Sequence, residues 1–329
     1  MSRVAVIGST AFSAVDFIDY LLEDPTMNVL GISRSAESEP VFMPHHRHGF
    51  ERYAFKQLHL VDQIDDVIAA LDEFRPEYVV NFAAQGEVRS SFEQPVAHFE
   101  TNTLAMVKLT EALRTRDYLV KYVHISTPEV YGACPFPVKE DQPMDPSSPY
   151  AASKGASDLF TSVLYKVHEF PVVWIRSTNV YGPHQQLYRI IPRTAIYMKL
   201  GRKLTLDGGG VAIKSYIHIR DISRGEKLAM LNGEPGKVYH FSPDEGVSVR
   251  RVVETVCSGM GYEFDKHVEV GPERPGQDAA YYLDSTRART ELGWAPEIGF
   301  DEGAQSCVDW IERDWDRIKD LPLDYEFRR

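Results

Sequence analysis

Short apolar runs separated by amphipathic stretches set the pattern of this chain. Val4–Ile7, Val29–Ile32, Tyr78–Phe82, Tyr122–Ile125 and Val172–Arg176 are largely hydrophobic and bounded by turn residues or polar positions, as buried strands are. Gln57–Leu60 offers a third strand in chain order, ending near Asp62. Between these runs apolar residues recur at helical spacing, up to about Leu22, over Gln63–Phe74, over Val96–Arg114 and from Tyr150 to Val167. Strands alternating with helices predict an α/β fold with a doubly wound parallel sheet of the Rossmann type. The later part of the chain is less regular, with a glycine-rich loop expected at Leu206–Gly210.

The first strand, glycine turn and helix form a dinucleotide-binding unit. Gly8 is followed by Ser9-Thr10-Ala11-Phe12-Ser13-Ala14, a G-x-x-A-x-x-A string. Its helix N-terminus is expected to hold a pyrophosphate through Thr10, Ala11, Phe12 and Ser13. A unit selective for NAD carries an acidic residue after its second strand. Here Ser33-Arg34-Ser35 stands in that place. An arginine suits a 2′-phosphate, so NADP(H) is expected ahead of NAD(H). The His45-His46-Arg47-His48 run has no carboxylate at ligand spacing, so a solvated or ligand-edge loop is expected there, and no metal.

The stretch Ser126–Lys154 carries the chemistry. Ser126, Thr127 and Glu129 follow a strand, and Tyr150-x-x-x-Lys154 opens a helix. Four-residue spacing puts Tyr150 and Lys154 on one helix face. A tyrosine is a poor base near neutrality, and a neighbouring ammonium favours its phenolate. With a threonine hydroxyl beside it, such a pair takes the proton of an alcohol while hydride leaves the same carbon.

The strings S-T-x-E-V-Y-G and P-x-S-P-Y-x-x-S-K closely resemble the extended short-chain dehydrogenase/reductase family, in particular its nucleotide-sugar 4,6-dehydratases. The resemblance continues in Arg176-x-x-Asn179-x-Tyr181-Gly182-Pro183, Arg189-x-x-Pro192, the Lys214–Asp221 string and Arg274-Pro275-Gly276-x-Asp278. It implies a dinucleotide-binding domain over residues 1–177, with segments near 216–240 and 285–310 interleaved, and a smaller mixed α/β lobe over 178–329 that binds a nucleotide-diphosphate sugar. It implies that Ala83, Ala84, Gln85 and Asp62 lie against the cofactor with Tyr150 and Lys154, and that Asn102 orders the helix bearing Tyr150. Thr127, Asn179, Arg189, Lys214 and Arg274 would bind substrate. In the implied reaction Tyr150 removes the carbon-4 hydroxyl proton, Glu129 removes the carbon-5 hydrogen, water leaves carbon 6 and hydride returns there, while Lys154 and Thr127 support Tyr150. One position departs: the dTDP-glucose dehydratases carry an aspartate acid where this chain has Pro128. A nucleotide-sugar 4-epimerase, a 5,6-dehydratase and a decarboxylase remain alternatives, with a non-catalytic nucleotide-sugar sensor further off. Related enzymes pair through helices like Val96–Arg114 and Ala151–Val167, which implies a homodimer or a dimer of dimers.

Composition adds exclusions. A formal net charge of -12 argues against general nucleic-acid binding. Cys134, Cys257 and Cys307 show neither disulfide nor zinc spacing. No signal-peptide pattern or membrane-length apolar run is visible, and a cytoplasmic location is expected.

Overall fold

The computed structural model describes residues 1–272, 281–325 and 327. Its centre is a sheet of seven parallel strands: β1 (Ser2–Ile7), β2 (Met27–Ser33), β3 (Tyr53–Gln57), β4 (Tyr78–Asn81), β5 (Lys121–Ile125), β6 (Val172–Ser177) and β7 (Val238–Phe241). Their spatial order is β7-β6-β5-β4-β1-β2-β3. The strands read as unbroken apolar runs because both faces are covered. Val4 and Val6 of β1 enter one hydrophobic core, and Ala5 and Ile7 enter the core on the opposite face.

The helices that bear on the site are α1 (Phe12–Leu22), α2 (Ile64–Phe74), α3 (Pro95–Phe99), α4 (Ala105–Leu113), α5 (Pro149–His168) and α6 (Ile219–Asn232). Ile222, Ala229 and Met230 of α6 and Tyr239 of β7 pack in the same core as Val4, so a late segment completes the first lobe. Of the expected interleaved stretch 285–310, Ala288, Leu292 and Trp294 join that core, whereas Cys307, Val308 and Trp310 pack with Tyr181 and Ile191 in the second lobe. Among the described residues no helix is long and apolar enough to cross a membrane.

Four local expectations are corrected. The third strand is Tyr53–Gln57, not Gln57–Leu60. As the sheet's edge it pairs on one side only, and its half-exposed Phe55 and Lys56 and exposed Gln57 hide it from an apolar-run criterion. The Val96–Arg114 helix runs unbroken from α3 into α4, and departs from expectation only in a π-helical turn at Glu100–Leu104. Leu206 lies in a short strand, Leu204–Asp207, paired with Val268–Gly271; only the three glycines after it turn.

The fourth concerns the histidine run, which is not a loop and is solvated only in part: Arg47 is exposed, and His46 and His48 are partly so. Pro44–His48 is a 3-10 helix with His45 fully buried. Carboxylates outside the run satisfy it: Asp19 accepts from Arg47 Nε at 2.7 Å and contacts His48 at 3.1 Å, and Glu37 faces His45 and His46.

Candidate active site

The winding of the sheet locates the site. The chain proceeds outward from β1 through β2 to β3, then runs outward on the other side through β4, β5, β6 and β7. Sheets wound this way take ligands at the strand C-termini where the direction reverses, here between β1 and β4. A pocket opens there, with Gly8, Thr10, Ala11, Ile32, Ser33, Arg34, Ser35, Leu60, Val61, Ala83, Ala84 and Thr101 in its wall.

This pocket fits a nicotinamide dinucleotide. Gly8 has φ 78°, and a Cβ there would lie 2.5 Å from the Ala83 nitrogen, so β1 and β4 end against each other through bare backbone. No side chain caps the first N–H groups of α1, and its first turn holds no acidic residue. An uncapped N-terminus presents free donors and positive dipole to a pyrophosphate, with Phe12 and Ser13 in its first turn. Neither alanine of the glycine pattern obstructs it. Ala11 is exposed with ordinary extended dihedrals, and Ala14 is fully buried where α1 meets the sheet. Thr10 Oγ1 and Ser33 Oγ share a hydrogen bond of 2.8 Å that ties this turn to the end of β2. Gln57 Nε2 donates to the Arg34 carbonyl at 3.0 Å. Asp62 follows the wall residue Val61; it is exposed, and its carboxylate pairs at 3.1 Å with His59, which also lines the pocket.

Thr127, Glu129, Tyr150 and Lys154 come together at the end of β5. Thr127 is the N-cap of a 3-10 turn, Pro128–Tyr131, and its hydroxyl accepts from the Glu129 nitrogen at 3.3 Å. Proline suits the first position of such a turn because it needs no N–H partner there. Helix α5 starts one residue before Tyr150: Pro149 occupies its first position, and the Ser148 hydroxyl accepts from Ala151 N at 3.1 Å. Tyr150, Lys154 and Asp158 follow at one-turn intervals, all buried.

The electrostatics differ from the expectation drawn from spacing. Burial pushes the pKa of Tyr150 up, the Glu129 carboxylate pushes it further, and the Thr127 hydroxyl and Arg189 draw it down. Those groups, together with Asp158, move Tyr150 more than Lys154 does. The reason is that Lys154 is itself strongly desolvated, which lowers its pKa to about 8, and its Nζ donates to the Ile125 carbonyl at 2.7 Å. Tyr150 and Glu129 are close enough to feel each other's charge, which places two proton-transfer groups in one pocket.

A buried network beneath these groups went unseen in the sequence. Asp158 accepts from Ser126 Oγ at 2.6 Å and from Arg176 Nη2 at 2.7 Å, and contacts His124 at 3.3 Å. Arg176 also donates to the Tyr131 hydroxyl, which meets His240 Nε2 at 2.8 Å. Burial alone would raise the Asp158 pKa, but Arg176, His124 and Ser126 hold it well below the usual carboxylate range. The signal available beforehand was an aspartate four residues past Lys154.

Asn102, inside the π-helical turn, joins the two halves of the pocket. Its Oδ1 accepts from Gln85 N at 2.7 Å, and its Nδ2 reaches Gln85 O at 3.0 Å and Ser153 Oγ at 2.9 Å. Ser153 Oγ in turn donates to the Tyr150 carbonyl at 2.7 Å. Gln85 is thus held by its backbone, and the helix bearing Tyr150 is pinned to the Ala83–Gln85 exit.

Of the expected substrate residues, Arg189 is near enough to Tyr150 to shift its pKa. Asn179 Nδ2 donates to Ser215 O at 3.2 Å, which brings Lys214, the residue before Ser215, to the same edge. Arg274 lies outside the described residues.

The model of the GDP-mannose 4,6-dehydratase family matches residues 6–307. The chain belongs to that family. A dTDP-glucose 4,6-dehydratase from Streptomyces niveus is 34% identical over 275 residues, covering 81% of this chain and 79% of that one. Among solved structures, a dTDP-glucose 4,6-dehydratase from Streptomyces venezuelae with NAD bound superposes with a TM-score of 0.87 at 26% identity, covering 96% of this chain and 98% of that one. A UDP-glucose 4-epimerase from Thermus thermophilus in complex with NAD gives 0.83 at 30% identity, covering 94% and 99%. Dehydratases and epimerases thus share this fold, and the difference between them must be sought in the site.

Proposed function

We propose that the protein is a nucleotide-sugar 4,6-dehydratase, which converts a nucleotide-diphosphate sugar to its 4-keto-6-deoxy form. The observation that carries this reading is the Glu129 carboxylate set against Tyr150 by the capped Pro128–Tyr131 turn. Epimerisation at carbon 4 needs one acid–base group; elimination across carbons 5 and 6 needs a second.

A bound nicotinamide dinucleotide supplies a hydride acceptor at carbon 4 and the hydride that returns at carbon 6. Tyr150 accepts the carbon-4 hydroxyl proton, and the Thr127 hydroxyl beside it holds the same oxygen. Lys154, fixed on the Ile125 carbonyl, adds positive charge beneath the phenolate when protonated. The resulting ketone acidifies the carbon-5 hydrogen, which Glu129 takes. Pro128 has no proton to give, so Glu129 passes the proton it has gained to the carbon-6 hydroxyl, which departs as water; when hydride adds at carbon 6, carbon 5 takes a proton that reaches it from solvent through Glu129. Asn179, Arg189 and Lys214 hold the nucleotide sugar between a dinucleotide lobe, essentially residues 1–177, and the lobe over 178–329.

The cofactor proposed is NAD(H). Both solved relatives named above carry NAD, and the NADP(H) preference expected from Arg34 has no support among them. Nucleotide-free protein titrated with each dinucleotide decides the matter: Arg34 contributes to selection only if Arg34→Ala changes the affinity ratio. A homodimer is proposed through α3, α4 and α5, where Val96, Leu104, Leu159, Val163 and Val167 are exposed and Pro95, Val96, Phe99, Leu104 and Val107 line an apolar groove. Val163→Glu should then yield monomers in sedimentation, and an unchanged sedimentation coefficient removes this interface.

The function is tested by incubating the holoenzyme with dTDP-, GDP- and UDP-hexoses and identifying products by mass and NMR. A product 18 mass units lighter, with a carbon-6 methyl group, supports the reading. Isomers of unchanged mass support the epimerase.

A further inference from the structure

The segment between β2 and β3 carries a side-chain cluster that the proposed reaction does not use. His45 Nε2, His46 Nε2 and the Tyr53 hydroxyl converge on one oxygen of Glu37, at 3.2, 3.2 and 2.8 Å. The ligand atoms of Glu37, His45 and His46 all lie within 4.8 Å of one another. Charge-assisted hydrogen bonds to a carboxylate usually measure about 2.7–2.9 Å. The two imidazole contacts are longer and equal. Donors bound about 2.0–2.2 Å from a tetrahedral cation stand roughly 3.3–3.5 Å apart, close to the 3.2 Å between each imidazole nitrogen and the Glu37 oxygen.

The donors suit the same occupant. Two imidazoles and one carboxylate are a donor set that zinc-like cations prefer to alkaline-earth ions. The Glu37 and His46 side chains are 19% and 25% exposed, so a cation and its remaining water have a route in. Tyr53, behind Glu37, fulfils the role of an outer partner that orients a ligating carboxylate. Adjacent histidines alone are a poor ligand pattern; the fold supplies the missing carboxylate from eight residues upstream.

We propose that Glu37, His45 and His46 bind a divalent transition-metal cation of the zinc class, at a site separate from the reacting groups. Its place gives it a structural consequence. Glu37 follows the pocket residues Arg34 and Ser35, and the Tyr53 hydroxyl lies against Gly31 and Ser9, behind the dinucleotide turn. An occupied site braces that wall of the cofactor pocket.

The test uses the untagged full chain, freed of metal with a chelator. Co2+ alone is added and read by its visible d–d absorption; Zn2+ alone is then titrated in competition with a chromophoric chelator. The expected result is one equivalent with a tetrahedral Co2+ spectrum. Tyr53→Phe should weaken Zn2+ binding about 10–100-fold, as loss of an outer partner does. Glu37→Gln combined with His46→Asn should abolish it. His46 is partly exposed, and thermal unfolding of each variant checks that it is folded. If the wild type binds no more Zn2+ than the double variant, the cluster is hydrogen-bonded only and the proposal fails. It fails equally if one equivalent binds but neither set of substitutions weakens it.

Discussion

Lys154→Met should make the protein more stable while making it inactive. Lys154 is fully buried among the groups at the end of β5, and its pKa falls from the ordinary 10.5 to about 8, chiefly through desolvation. At about 1.4 kcal/mol per pH unit, the buried ammonium costs about 3 kcal/mol of folding stability at neutral pH. Methionine has a similar length and no charge. Its cost is the hydrogen bond to the Ile125 carbonyl, and a buried acceptor left without a partner loses about 1–3 kcal/mol. The balance is a gain of about 1 kcal/mol. The sign has a pH signature. The folded pKa lies below the unfolded one, so the unfolded chain binds the extra proton, and wild-type stability rises as pH climbs from about 8 towards 10.5. The variant lacks that rise from this group. Urea denaturation of nucleotide-free wild type and variant should therefore show the variant ahead at pH 7 and the gap closing by pH 9. Nucleotide must be absent, because a tightly held ligand stabilises whichever protein retains it. Activity should fall by roughly a hundredfold or more with loss of the charge beneath Tyr150. A variant that is less stable at pH 7, or a difference that does not change with pH, refutes the burial argument.

Three further outcomes follow from the same geometry. Tyr150→Phe keeps the packing but removes the proton acceptor, so stopped-flow absorbance at 340 nm should show reduction of bound cofactor slowed by roughly a hundredfold or more with substrate affinity retained. Asn102→Leu cuts the links from the Gln85 backbone to Ser153 and removes two hydrogen bonds to buried backbone groups, at about 1–3 kcal/mol each; the thermal midpoint should drop, and unchanged stability would deny Asn102 its part in joining the pocket. Asp16, buried beside Glu226, has a pKa raised to about 6 by desolvation, above its unfolded value, so its ionised form costs about 3 kcal/mol at pH 7, a cost that disappears as pH falls from about 6 to 4; Asp16→Asn should therefore raise stability at pH 7 more than at pH 4.5 in urea titrations.

What could be read from the sequence depended on how far apart the interacting residues are. Strands buried on both faces announced themselves, because Val4–Ile7 and Val172–Ile175 must be apolar throughout. The edge strand Tyr53–Gln57 did not, since only one side of it pairs. The grouping of Thr127, Glu129, Tyr150 and Lys154 was legible because a strand end and a helix start are local features with recognisable spacing. The Lys154 and Tyr150 electrostatics were not, because desolvation is set by everything packed around a group and spacing carries no information about it. The Asp158–Arg176–Tyr131–His240 network joins residues from separate elements, so no single window of sequence contains it. The Glu37–His45–His46 cluster lies within ten residues, but its spacing does not show that the chain folds Glu37 back onto the two histidines.

The central claim is that Glu129 acts on carbon 5 while Tyr150 acts on carbon 4, and exchange at carbon 5 tests it most directly. The holoenzyme is turned over in heavy water with the nucleotide sugar it accepts, and the product is examined by NMR and mass spectrometry. The account predicts a 4-keto-6-deoxy product bearing deuterium at carbon 5. With Glu129→Gln it predicts that cofactor is still reduced, because Tyr150 is intact, but that neither deuterium nor loss of water is seen. A wild-type product that keeps its carbon-6 oxygen and carries no deuterium at carbon 5 would contradict the account and make the protein an epimerase.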